Sequence, residues 1–506
     1  MNKSKQKFAD LLQNRNFTSA LLTAVIIVAI VFVNVIIYTL AYYFGWYFTP
    51  QAQDDLSISG ATDTLFSDAI DKGERVEIIF CSYEDTVKNH QTGKFVYETA
   101  RQFEERYPNF VDVRFVNVVT QIDSEGNPFD SAKYAKDMRG RDNAVSPTSV
   151  IFRCGDNYRV LTDVYTTAGY ADFYTLTSET VASSYNGEEV IAAMICWVLS
   201  SDHGTAYFTT GHGETADIFL HNTLICAGYY VEEINLKKDE VPEDAALVVI
   251  SNPKMDFERS ASTKLRSEIE RMNAYSERGG NYFVVLDPEV KRLPVLELFI
   301  SDFGISLERD ESGETVKVKD TDKSLQLDGF TIIADHSDSE IAVKMHAKTE
   351  PYGDGVLIKN VAALSLDKSK AGVTPEPLLK SSSTSVTEAG GRTVDSSGNY
   401  TVAAYSLKDN ELGDDAAMFV MPSIYLASTN AIVTNRYANK DFLYSLCECL
   451  FGAGSMPYGC NSVVYDDGIL ENLPMGAAKL YTAALVAIPV IIAAVGAVVM
   501  IRRKNR

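Results

Sequence analysis

This chain of 506 residues is short of positive charge, with 46 Lys+Arg against 68 Asp+Glu and a net charge of −22. Such a surface repels nucleic acid and anionic headgroups, so no nucleic-acid partner is expected; solubility is the ordinary consequence. Cysteine is sparse and scattered: Cys81, Cys154, Cys196, Cys226, Cys447, Cys449 and Cys460. That excludes a disulfide scaffold. Most of these residues lie in apolar segments and read as buried free thiols, with one disulfide to Cys460 left open. There is no C-x-x-C, and Cys447-Glu448-Cys449 has the wrong spacing for a zinc knuckle. No metal centre and no cofactor are expected. The missing G-x-x-x-x-G-K-[ST] excludes an ATPase. No G-x-S-x-G or G-x-C-x-G occurs within 204–305, so that stretch has no nucleophile elbow. No internal repeat is visible.

Two long runs lack charge altogether. Residues 21–40 read LLTAVIIVAIVFVNVIIYTL and are followed by Tyr42, Tyr43, Trp46 and Tyr47; residues 480–501 form the second run. A helix of about 20 apolar residues crosses the ~30 Å hydrocarbon core, and aromatic residues suit its interface. The sequence therefore predicts transmembrane helices at 21–43 and 480–501. Lys3, Lys5, Lys7 and Arg15 precede the first, and Arg502, Arg503, Lys504 and Arg506 follow the second. Positive flanks favour the cytoplasmic side, so the expected protein is a two-pass cell-membrane protein. Its tails, 1–20 and 502–506, would be cytoplasmic and its large acidic middle extracytoplasmic. With those eight cations and Asp10 set aside, 38 bases and 67 acids remain in the middle. A cleaved signal peptide is the alternative for the first run, but an h-region spans only ~7–15 residues and no A-x-A site follows. Ala483/Ala487 and Ala493/Ala497 are small-xxx-small pairs that allow close helix packing.

The middle divides into three. Residues 60–203 contain VEIIFC, then FVYETARQFEERY with a helical apolar face, then alternating VDVRFVNVV. This is a βαβ unit in a thioredoxin-like layout. Residues 204–305 alternate strands and helices, with ALVVIS and YFVVLD as buried strands, which predicts a doubly wound parallel sheet of the flavodoxin or amidotransferase type. Residues 306–475 read as a β-rich region with short strands, one of them at 341–344, and a Ser/Thr-rich exposed loop at 381–399. The expected fold class is thus a membrane-anchored α/β protein.

The most informative motif is Thr209, Thr210, Gly211, His212, Gly213 and Glu214, between a strand and a helix. Ligands of open α/β sheets bind outside the carboxyl ends of strands, and glycines let backbone approach them. A helix N-terminus attracts anions. His212 and Glu214 fit three roles: a structural cap, a ligand- or partner-recognition loop, or an acid/base pair. The structural role is the commonest for such a pattern. An H-x-E with only His203 or His221 as helpers falls short of a metal site. Asp287 and Glu289, after a later strand, are weaker candidates for the same edge.

The succession YFTTGHGE, GYYVEEINL, ALVVISNP and GGNYFVVLDP resembles the GldG-like family, the auxiliary component of gliding-motility-type ABC transport systems. NRYANKDFLYSLCECLF (435–451) is similar to the family's Asn-Arg-Asp-like stretch before an apolar helix. Val420-Met421-Pro422-Ser423 departs from the aspartate-rich turn of that family. The resemblance implies a non-ATPase binding or scaffold subunit beside an ABC permease and a cytoplasmic ATPase, with membrane lipid around its helices. Its outer domain would recognise a substrate, an envelope component or a protein. The alternative is a membrane-anchored α/β enzyme of amidotransferase-like fold using His212 and Glu214.

Overall fold

The computed structural model describes residues 56–464, apart from 165–172, 179–180, 216–217, 260–265, 321–323, 327, 354, 411–412, 427–436 and 461. The first part builds a five-stranded sheet. Helix α1 (Ala61–Asp71) leads into β1 (Val76–Phe80), α2 (Glu84–Lys88), α3 (Gly93–Arg106) and β2 (Val111–Asn117). β1 and β2 are parallel, whereas β3 (Ile122–Asp123), β4 (Val150–Cys154) and β5 (Asn157–Leu161) run antiparallel to their neighbours, in the order β3-β2-β1-β4-β5. α3 lies on this sheet because Val96, Ala100 and Phe103 fall on one helical face and are buried. A hairpin of β6 (Tyr174–Ser178) and β7 (Val181–Tyr185), extended by β22 (Val463–Val464), follows. It leads into α4 (Gly187–Leu199).

The second part is a nine-stranded mixed sheet. β8 (Thr205–Thr209), α5 (Ile218–Cys226), β9 (Tyr230–Ile234), β10 (Ala245–Ser251), α6 (Glu268–Ser276), β11 (Asn281–Val285) and α7 (Pro294–Ser301) alternate along the chain. The strands β9-β8-β10-β11 are mutually parallel, and the next neighbour of β11 is β21 (Ala416–Met421), also parallel. The sheet continues antiparallel through β20 (Thr401–Lys408), β17 (Val373–Lys380), β14 (Thr331–His336) and β15 (Val356–Lys359). Its central parallel strands β10, β11 and β21 are apolar on both faces, as strands covered by helices on both sides must be, whereas the edge strand β9 carries Glu232 and Glu233. Tyr282, Val284, Met418 and Val420 join Met272, Leu296 and Phe299 of α6 and α7 in one core. On the opposite face Phe283 meets Phe419, and Phe419 meets Phe442 of α9 (Asn439–Cys449).

Several expectations are corrected here. Among the described residues no helix is long and apolar enough to cross a membrane. The apolar helix α4 has 13 residues, about 20 Å of rise against the ~30 Å that a span requires. It is buried against β4, β5 and α5 instead. This overturns the membrane-anchored fold class, the transmembrane elements and the two-pass cell-membrane location, and none of them is carried further. The runs on which they rested, 21–43 and 480–501, lie outside the described residues, as do Ala483, Ala487, Ala493 and Ala497.

The separation of a doubly wound domain from a β-rich region is corrected as well. Five strands from beyond residue 305 belong to the same sheet as β8–β11. Residues 341–344 are helical, within α8 (Glu340–Thr349), because Ser339 caps the Ala342 N–H and Ala342, Met345 and Thr349 share a buried face. The stretch 381–399 is no open loop. It carries a hairpin, β18 (Val386–Ala389) and β19 (Arg392–Asp395), turned at Gly390-Gly391 and paired with β13 (Lys317–Lys319). Buried Asp320 holds its start, accepting from Ser382 Oγ, Thr384 Oγ1 at 3.0 Å and Ser385 Oγ at 3.3 Å. A small pair, β12 (Ile305–Leu307) with β16 (Leu364–Leu366), completes the fold.

The first turn of α9 ties these parts together. Asn439 donates from Nδ2 to the Leu357 carbonyl and accepts the Leu357 N–H at Oδ1, both at 2.8 Å. Lys440, 5% exposed, reaches Glu189 of α4 at 3.3 Å and donates to the Cys460 carbonyl at 2.8 Å. Tyr444 donates to the other Glu189 oxygen. Asp441 accepts the Gly459 N–H at 2.9 Å. All seven cysteines are free thiols.

Removing one partner of a buried ion pair strands the other charge, at a cost of about 3–5 kcal/mol. Lys440→Met should therefore lower the urea midpoint of the full chain sharply, while Lys440→Met with Glu189→Gln should recover most of the loss. Equal midpoints for the single and double variants would show that the pair does not govern stability.

Candidate functional site

The five parallel strands run β9-β8-β10-β11-β21. From β8 the chain goes first to β9 on one side and then to β10 on the other. The carboxyl ends of β8 and β10 therefore flank the point where strand order reverses, the place where such sheets open a crevice. The segment from Thr209 to Glu214 sits there. Thr209 is the buried last residue of β8, and its Oγ1 has no hydrogen-bond partner. The Thr210 N–H donates to the Ile234 carbonyl at 2.8 Å and extends the pairing with β9.

Two left-handed glycines then turn the chain inward. Gly211 has φ +107° and Gly213 has φ +70°. A Cβ at Gly211 would lie 3.3 Å from Asn235 Nδ2, and one at Gly213 would lie 3.3 Å from Lys254 Cβ. Backbone conformation and space thus both select glycine here. The effect is to drive His212 into the protein, where it is 0% exposed. Its ring stacks on Phe257 with centroids 4.0 Å apart and planes 14° from parallel. Its carbonyl accepts the Lys254 and Met255 N–H groups at 2.8 and 2.9 Å, which fastens the loop to the chain leaving β10.

Both ring nitrogens are committed. Nδ1 lies 3.0 Å from Glu214 Oε1, and Nε2 lies 3.1 Å from each oxygen of Glu268, the first residue of α6. Glu214 also accepts the His212 N–H at 2.6 Å, and Glu268 accepts the Glu258 N–H at 2.7 Å. Burial works to lower the pKa of His212. The hydrogen bonds and charges of Glu214 and Glu268 outweigh it and raise the imidazole to about 9. Burial works to raise the pKa of Glu214, but the hydrogen bonds from His212 prevail and hold it below the usual carboxylate value. At neutral pH the ring is an imidazolium that donates to two carboxylates.

Asp287 joins this edge through Lys254. The Lys254 ammonium reaches Asp287 at 3.0 Å and Asn252 Oδ1 at 2.6 Å, while its backbone binds the His212 carbonyl. Asn252 itself adopts φ +53° and donates to Thr215 Oγ1 at 2.7 Å. Glu289 points elsewhere, pairing with Lys317 and accepting from Asn360 at 3.0 Å. The structure therefore brings Thr209–Glu214 together with Asp287 and leaves Glu289 apart.

Sequence reasoning missed Glu268, Lys254 and Phe257. One readable signal stood beside Glu268: Ser267-Glu268-Ile269-Glu270 is a capping-box sequence, and both its hydrogen bonds are formed. It marks where α6 starts but not what Glu268 faces.

As an acid/base pair, His212 and Glu214 are poorly placed. The ring is sealed from solvent and its second nitrogen is occupied by Glu268. Cys226 lies at the far end of α5, about 12 Å along the helix from its start. Cys196 belongs to α4, with its thiol raised to about 12 by burial. The arrangement works as a clasp between the ends of β8 and β10 and the start of α6.

This clasp predicts a pH dependence. Its folded pKa of about 9 exceeds the ~6.5 of an unfolded histidine. Its stabilisation is complete below pH ~6.5 and is lost as pH rises through about 9, to a total of about 3 kcal/mol. The Glu214 contribution has the opposite sign and is lost as pH falls below its ordinary value near 4.5. Urea denaturation of the wild type should show a falling midpoint between pH 6.5 and 9.5, and His212→Gln should flatten that limb. Parallel curves for the two proteins would refute the assignment.

Comparison with known proteins adds no family. No family model matches this chain, and no curated protein matches it. Among solved structures, an "mmIFT52 N-terminal domain" aligns at TM-score 0.37 with 14% identity, covering 50% of this chain and 99% of that one. PurLQS from Thermotoga maritima aligns at TM-score 0.27 with 14% identity, over 48% of this chain and 98% of that one. A ThuA-like protein from Bacteroides uniformis gives TM-score 0.29 with 11% identity, over 48% and 89%. TM-scores and identities this low carry no argument about what the chain does.

Proposed function

We propose that this chain is a non-ATPase binding or scaffold subunit of an ABC transporter complex, acting beside a permease and a cytoplasmic ATPase. The observation that carries the non-catalytic half of this reading is the His212 clasp. A buried imidazolium held by two carboxylates fixes the shape of the strand-end edge and offers no free nitrogen to a substrate. An edge fixed in this way is suited to presenting a rigid surface, and rigid scaffolds hold recognition sites more precisely than mobile loops do. The transport half rests on the GldG-like succession of segments from YFTTGHGE to GGNYFVVLDP.

The test is affinity purification of the tagged full chain from its own cells under conditions that preserve complexes, followed by mass spectrometry. A permease and an ATPase should co-purify in comparable amounts. Recovery of the chain without either would overturn the transport assignment. A Gly213→Ala variant, strained at φ +70° by about 1 kcal/mol or more, should fold less stably and recover proportionally less of both partners.

A further inference from the structure

The clasp accounts for His212, Glu214 and Asp287 but leaves Glu289 unexplained. That residue lines a cleft of 480 Å3 just past the carboxyl end of β11, between the 288–292 turn and the β13-β18-β19 sheet. Position alone favours a ligand, since strand carboxyl ends are where α/β sheets bind them. The volume falls within the range typical of small-molecule sites, ~300–1,000 Å3. The rim opposite is the Gly390-Gly391 turn, where added Cβ atoms would meet open space, so the turn is not closed by packing.

The charges of this cleft are mixed and unevenly satisfied. Lys317 is spent on Glu289, and it sits 5.9 Å from the centre of the Phe330 ring, which forms part of the wall. Arg292 is held by Glu297 at 3.2 Å but remains 64% exposed at its side chain. Lys291 and Glu314 are exposed and make no ion pair among the described residues. One unspent ammonium and one unspent carboxylate thus share a single cleft, with the exposed Arg292 guanidinium next in sequence to the ammonium.

We propose that this cleft binds the zwitterionic backbone of a short peptide, with its carboxylate on Lys291 and Arg292 and its ammonium on Glu314. A simple anion fits less well, because a chain of net charge −22 repels it at long range. A zwitterion carries no net charge and meets both local signs. The proposal rests on the binding-subunit reading above and names a ligand class for it.

The test is isothermal titration of the purified full chain with tri-alanine, N-acetyl-tri-alanine and tri-alanine amide, beside inorganic phosphate. Saturable binding of free tri-alanine is expected, weakened tenfold or more by blocking either end. Lys291→Ala should shrink the penalty for amidation, and Glu314→Gln should remove the penalty for acetylation. Both residues are exposed, so the variants should keep the wild-type urea midpoint. No saturable tri-alanine binding, binding indifferent to end-blocking, or tighter binding of phosphate would each overturn the proposal. If peptide binding fails while the permease and ATPase still co-purify, the subunit reading survives and this inference does not.

Discussion

An ammonium group with almost no access to water holds this molecule together. Lys440 enters the structure at the start of α9 and meets Glu189 of α4, a helix that also packs on the five-stranded sheet. Burying two charges is costly, and attraction between them repays that cost only when the remaining hydrogen bonds are met. They are met here: Tyr444 takes the second Glu189 oxygen, and the Cys460 carbonyl takes another ammonium proton. Burial works against charge on the ammonium, but Glu189 and Asp441 more than offset it, and the Lys440 pKa stays above its ordinary value. The first and last parts of the fold are thereby held in one register.

The His212 clasp repeats this design at the ends of β8 and β10. Each case places a cation between one acid close by in the sequence, Glu214 or Asp441, and one from a distant segment, Glu268 or Glu189, and each lies at or against the first turn of a helix. Glu268 is the first residue of α6, where partial positive charge from free backbone N–H groups favours a carboxylate. The ion pairs therefore do more than hold two side chains together. They fix where helices begin relative to strand ends, and those ends shape both the clasp and the cleft beside β11.

Much of the local structure was legible in the sequence. ALVVIS and YFVVLD announce buried strands because strands covered on both faces are apolar at every position. The turn from β8 into Gly211-His212-Gly213 was legible for the same kind of local reason. What escaped were pairings across distance. His212 and Glu268 lie 56 residues apart and Lys440 and Glu189 lie 251 apart, and no local pattern connects them. That β21 adds to β11 is equally invisible, since a strand's sequence tells its burial and not its neighbour. IAVK was misread because four residues fit alternation as well as they fit a helix; the cap at Ser339 decides it. The Ser/Thr-rich stretch looked like loop by composition, yet Gly390-Gly391 between TEA and RTVD is a hairpin signal, and Asp320 supplies an anchor that composition cannot reveal. The membrane expectation rested on runs that the described fold does not include.

Asn439 has a consequence beyond joining two segments. Its side-chain amide donates to the Leu357 carbonyl and accepts the Leu357 N–H, as a neighbouring strand would, and Ser423 occupies the Lys359 carbonyl next along. β15 is the last strand of the nine, and an open last strand is a template on which another chain can polymerise. One asparagine thus acts as a chain terminator for the sheet. It closes strand addition as a route of association at that edge, so a partner that docks there must read side chains and surface shape rather than backbone.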